Sequence, residues 1–157
     1  MDFSPITPDL FIGTTPASAD YDHLRDLGVR LVINMRFGRS PYPDAHPEPL
    51  DFLWLRTFDS PIVPIPIQKL IRGTHAALET IRQGGKIYSH CAKGRHRSVA
   101  MGAAILIAQG YNPEAAMKLI KAQRPISDPG IFYIRSRIFR FAHQWHTDKH
   151  KFLLPGS

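Results

Sequence analysis

The chain has one cysteine, Cys91, among 157 residues. That excludes an internal disulfide and suits a reducing compartment. No apolar run reaches the roughly 20 residues a membrane-spanning helix needs. The opening MDFSPITPDLFIG also lacks the basic start and apolar stretch of a secretory signal. The expectation is a soluble, cytoplasmic protein with no membrane insertion. Internal repeats and low-complexity tracts are missing too, which removes solenoid architectures. Positive charge is scarce in the first 59 residues, where five Arg face nine acids. It is concentrated in residues 60–157, where fifteen Lys and Arg face four acids. A basic half reads either as an anion-binding surface or as a solvated face that aids solubility.

What is present suits one domain over residues 1–157, with a core over about residues 10–142, a proline-rich loop at 36–50 and a tail at 148–157. LFIG (10–13), VRLVINM (29–35), FLWLRTF (52–58) and KIYSH (86–90) read as strands. YDHLRDL reads as a short helix capped by Asp20 and ended by Gly28. IQKLIRGTHAALETIRQ carries a helical apolar stripe that stops at Gly84-Gly85. SVAMGAAILIAQ is apolar on nearly all sides, as a buried central helix would be. Asn112-Pro113 and Asp128-Pro129 each read as an N-cap and first-turn pair, for PEAAMKLIKAQ and for the last long helix. Strands alternating with helices predict an α/β fold: a central, mostly parallel twisted sheet with helices on both faces.

The chemistry gathers at SHCAKGRHRSV, residues 89–99. A strand runs into Cys91, a short loop follows, and a helix begins near Ser98. Such a loop aims its backbone N–H groups at one spot, and the helix dipole adds positive charge there. A thiol at its lip ionises readily. The loop residues Ala92, Lys93, Gly94, Arg95 and His96 would form an anion cradle, with Gly94 letting the backbone approach its ligand. Arg97 offers a planar guanidinium for two phosphate oxygens. Ser98 offers a hydroxyl to the thiolate.

His90-Cys91-Ala92-Lys93-Gly94-Arg95-His96-Arg97-Ser98 matches HCxxGxxR[ST], and the chain thereby resembles the cysteine-dependent protein tyrosine phosphatases, in their small atypical dual-specificity branch. LFIGTTPASADYDHLRDLGVRLVINM is similar to that family's opening, and RPISDPGIFYIRSRIFRFA to its closing turn and helix. The likeness spans roughly Leu10 to Ala142 and implies the cysteine phosphatase fold. It also implies hydrolysis of phosphomonoesters, foremost phosphotyrosine and also phosphoserine or phosphothreonine in proteins, through a cysteinyl-phosphate. Cys91 would be the nucleophile and Arg97 the phosphate clamp. Ser98 would assist thiolate departure, and His90 would orient the loop. Cleavage needs a proton for the leaving oxygen. The family supplies it from an aspartate some thirty residues upstream, and Asp59 stands in that place, after FLWLRTF. Asp44 and Asp51 are rivals that precede the strand. No metal and no organic cofactor is called for.

Several positions stay open. The signature leaves Lys93, Arg95 and His96 free, so they read as solvated charges or as a field favouring highly anionic substrates. Phosphoinositides and RNA 5′-triphosphates are alternative substrates for the same loop, and a rhodanese-type sulfurtransferase is a more distant alternative. A catalytically dead phosphate-binding module is disfavoured because nucleophile, arginine and acid are all present. Phe37 and Tyr42 read either as cleft residues or as packing for the proline-rich loop. His143, His146 and His150 fall on one predicted helix face, but without acidic or cysteine partners they read as a solvated helix end. The partner expected is a phosphorylated protein or other phosphomonoester, with no stable nucleic-acid partner and a monomeric state.

Overall fold

A computed structural model describes residues 1–152, the last four by backbone alone. Five strands, β1 (Phe3–Thr7), β2 (Leu10–Gly13), β3 (Val29–Arg36), β4 (Asp51–Thr57) and β5 (Lys86–His90), form one sheet in the order β1-β2-β5-β3-β4. β2, β5, β3 and β4 are parallel, and only the edge strand β1 runs antiparallel. The helices are α1 (Tyr21–Asp26), α2 (Ile67–Arg82), α3 (Arg97–Ala108), α4 (Pro113–Gln123) and α5 (Phe132–Phe152).

The two faces of the sheet are covered unequally. On one, α3 is buried from Ser98 to Ile107 and packs against α2, α4, α5 and the central strand β5. Its uniform apolarity follows from that placement, since every side meets protein. α2 turns Leu70, Gly73, Thr74 and Ala77 inward, a helical stripe. At Gly73 a Cβ would meet the Met101 sulfur at 2.5 Å, so glycine there permits the close α2–α3 approach. The other face carries the smaller core of Phe11, Tyr21, Leu24, Val29, Val32, Leu50 and Tyr88. Among the described residues, the short α1 and the proline-rich loop cover it. That loop is tied down by the Tyr21 hydroxyl donating to the Tyr42 carbonyl and by a half-buried Arg25–Asp44 ion pair.

Four points of the sequence reading are corrected or extended by the structure. FSPIT forms β1, an edge strand that tolerates Pro5. Asp20 precedes α1, but its carboxylate turns back to accept from the Ala17 amide at 2.8 Å and makes no cap bond to the helix. Asp128-Pro129 does not open the last helix, which starts at Phe132; the Asp128 amide instead donates to the Arg95 carbonyl at 3.0 Å. Asn112 caps α4 as expected, accepting from the Ala115 amide at 2.8 Å. The helix α5 continues to Phe152, into the segment read as a tail, and residues 153–157 and the His150 side chain lie outside the described residues.

Candidate active site

The parallel strands bring their C-terminal ends to one edge, where ligands of open α/β sheets bind. β5 delivers Cys91 there, β2 delivers Thr14 and Thr15, β3 delivers Arg36 and Phe37, and β4 delivers Phe58 and Asp59. Asp51 opens β4 and so sits at the opposite end. Asp44 is half-buried and paired with Arg25, and it also accepts from the Leu50 and His46 amides. Both rivals are thereby removed from the mouth of the cysteine loop.

The loop is held from below. Arg124, only 1% exposed, donates from Nε to the Gly94 carbonyl at 2.8 Å and from Nη2 to the Lys93 carbonyl at 3.1 Å. Its other contacts are Ser4 Oγ and the Asp2 carboxylate, both at 3.1 Å. Thr15 donates to the Cys91 carbonyl at 3.1 Å, and Arg36 braces Thr15. Turning these carbonyls outward leaves the loop amides to face the cradle. Gly94 has φ +63°, and a Cβ there would lie 2.8 Å from the Gly13 carbonyl oxygen, so no larger residue fits.

Within the cradle the Cys91 sulfur lies 3.2 Å from Ser98 Oγ. Burial raises the thiol pKa, but hydrogen bonds from the Ser98 hydroxyl and backbone and the Gly94 backbone, with the Arg97 charge, outweigh it and leave it lowered. His90 is buried; burial pushes it down to about 4, so it is neutral near pH 7, with Nδ1 3.5 Å from the Cys91 carbonyl. Arg97 is fixed by one end: Nη1 donates to the Thr57 carbonyl at 2.8 Å and the Met35 carbonyl at 3.3 Å. Its buried Nε–H has no partner among the described residues. Asp59, Cys91, Ala92, Lys93, Arg95, His96 and Arg97 line a pocket of about 180 Å³. A wider groove shares Ala92, Lys93 and Arg95 and runs on to Lys121 and Asp128.

β4 aims Asp59 through a bulge. Between Asn34↔Trp54 and Arg36↔Thr57 it carries one extra residue, and Arg56 takes the strained φ of +48°. The Arg56 guanidinium then stacks over Phe37 and Trp54, while Phe37 stacks on Phe58 at 4.2 Å. Thr57 Oγ1 locks the turn by donating to the Met35 carbonyl at 2.6 Å. Asp59 emerges with Oδ2 3.0 Å from His96 Nδ1 and Oδ1 accepting from the Tyr133 hydroxyl at 2.8 Å. Partial burial raises its pKa, but these two donors and the His96 and Arg97 charges leave it lowered.

The open positions divide. Arg95 Nε is committed to the Ile126 carbonyl at 3.1 Å, and His96 to Asp59. Lys93 is exposed, and its ammonium makes no hydrogen bond among the described residues. Phe37 supports the Asp59 turn through Phe58, whereas Tyr42 packs under Arg39, away from the pocket lining. Arg124, Thr15 and Tyr133 were not visible as site residues in the sequence. A fully buried arginine after a helix and a tyrosine on a distant one leave no local signal.

No protein-family model matches the chain. Mouse dual specificity phosphatase 28 is 30% identical over 131 residues, covering 82% of this chain and 77% of that protein. The chain belongs to the dual-specificity phosphatase family. It is a protein phosphatase of the atypical branch. The crystal structure of human DUSP28 superposes with a TM-score of 0.80, at 24% identity over 92% of this chain and 99% of that one. PTPMT1 in complex with PI(5)P superposes with a TM-score of 0.78, at 24% identity over 97% and 99%. These two likenesses concern the fold: a dual-specificity phosphatase sheet and helix arrangement.

Proposed function

We propose that this phosphatase hydrolyses phosphotyrosine, and also phosphoserine and phosphothreonine, in proteins through a phosphorylated Cys91. The observation that carries this is the pairing of a thiol held below its ordinary pKa with a buried Arg97 Nε–H that has no hydrogen-bond partner among the described residues, facing one small cradle. The Cys91 thiolate attacks phosphorus, and the bond to the leaving oxygen breaks. Arg97 and the amides of residues 92–97 hold the equatorial oxygens. Protonated Asp59 gives its proton to the leaving oxygen. Water then attacks the cysteinyl-phosphate, the Asp59 carboxylate takes the water proton, and Ser98 donates to the departing thiolate. His90 acts on loop orientation through the Cys91 carbonyl. No cofactor enters this scheme.

A phosphoinositide substrate is the second reading, favoured by the uncommitted Lys93 at the pocket rim and by the likeness to PTPMT1, whose complex contains PI(5)P. Para-nitrophenyl phosphate, phosphopeptides and phosphoinositides assayed beside Cys91→Ser separate the readings. The variant should lose essentially all turnover and still bind tungstate. Residual turnover above a few per cent would remove Cys91 as nucleophile.

A further inference from the structure

The two oxygens of Asp59 are both taken by protein donors, and the donors come from two elements far apart in the chain. His96 belongs to the cysteine loop itself, and Tyr133 to the first turn of α5. The Tyr133 hydroxyl lies 2.8 Å from Oδ1, His96 Nδ1 lies 3.0 Å from Oδ2, and the two donors are 3.2 Å apart. Their rings meet edge to face at 5.7 Å. The three side chains form a closed triangle over the rim of the cradle. The opposite side of the same turn is pinned by the Phe58–Phe37 stack and by Thr57.

Resting on the reading of Asp59 as the general acid, we propose that His96 and Tyr133 are positioning residues that clasp it over the leaving-group side of the cradle. His96 is well placed for this because the residue next to the phosphate clamp can register the acid directly against the loop that holds phosphorus. Its Nδ1 donates, since the neighbouring Asp59 oxygen is an acceptor. Its Nε2 is buried with no hydrogen bond among the described residues, 4.0 Å from Asp128 Oδ2. The groups facing Asp59 are therefore His96 and Arg97 from the loop and Tyr133 from α5, with Asp128 behind His96. Both donors favour the carboxylate, so the clasp positions the acid at the expense of its protonated form. A phosphate dianion entering the cradle pushes the other way, because its charge opposes the carboxylate.

A group that acts only through the acid has a kinetic signature. Its removal hurts most where the leaving oxygen most needs a proton. The test compares Tyr133→Phe, His96→Ala and the donor-retaining His96→Asn across aryl phosphates of rising leaving-group basicity, with Asp59→Asn as reference. The loss of kcat/KM, which reads the step that expels the leaving oxygen, should be smallest for para-nitrophenyl phosphate and reach roughly tenfold for phenyl phosphate. His96→Asn should recover part of it. The basic limb of the pH profile should move to higher pH in Tyr133→Phe and His96→Ala, because each removes a donor that holds Asp59 down. In the Asp59→Asn background either substitution should cost little more. A uniform loss across the series, or full additivity with Asp59→Asn, would overturn the clasp while leaving Asp59 as acid. If Asp59→Asn itself shows no dependence on the leaving group, the acid assignment fails, and the clasp with it.

Discussion

Cys91 is 3% exposed, and its loop rests on buried donors: Arg124 beneath the Lys93 and Gly94 carbonyls, and Thr15 beneath its own. Asp59 keeps 37% of its side chain in solvent and is held by two side chains from other elements. The place of the proposed nucleophile is built into the sheet–helix junction. The place of the proposed acid depends on a strained bulge, an aromatic stack and the proposed clasp. Attack geometry is therefore expected to resist change at the surface, and proton delivery is expected to be the adjustable part.

The contrast can be broken most heavily at Arg124. Arg124→Met should destabilise the fold by about 3 kcal/mol, because buried loop carbonyls lose their donors. Phosphate affinity should fall with it, as the loop amides are no longer aimed. Denaturant midpoints and phosphate inhibition constants check both. Asp59→Asn should do the opposite, slowing turnover by about a hundredfold with the melting temperature unmoved.

Its pH profile sharpens the comparison further. The donors hold Asp59 below the usual carboxyl range, so the carboxylate prevails in the free enzyme at neutral pH. In the proposed mechanism only the protonated fraction serves the first step, so kcat/KM should fall as pH rises past that pKa. The amide has no such proton, and the descending limb should vanish. A profile of unchanged shape would place the acid elsewhere.

Most of this was legible where local rules govern. KIYSH, LFIG and PEAAMKLIKAQ became elements with the bounds expected, because strand runs, caps and glycine stops act over a few residues. The cysteine loop was legible for the same reason: its strand, glycine and arginine are adjacent in sequence. FSPIT was missed because a short edge strand with proline carries no alternation, and its pairing to β2 is a tertiary fact. Asp128-Pro129 misled because a turn and a helix start share that chemistry; Gly130, just beyond, was the signal against a helix. The unequal cover of the sheet was hidden too, since nothing local says that a proline-rich loop shares one face with a single short helix. The environment of Asp59 was the least legible, because Tyr133 stands 74 positions away.

The central claim is that catalysis passes through a phosphorylated Cys91. Ser98 lies 3.2 Å from the sulfur and in the proposed mechanism donates to the departing thiolate, so Ser98→Ala should slow the second step more than the first. Acid-quenching that variant during turnover of para-nitrophenyl phosphate, followed by peptide mass spectrometry, reads the intermediate directly. The account predicts one phosphoryl group on the peptide containing Cys91, absent from Cys91→Ser. Sustained turnover with that cysteine unmodified, or the phosphoryl group on another residue, would contradict it.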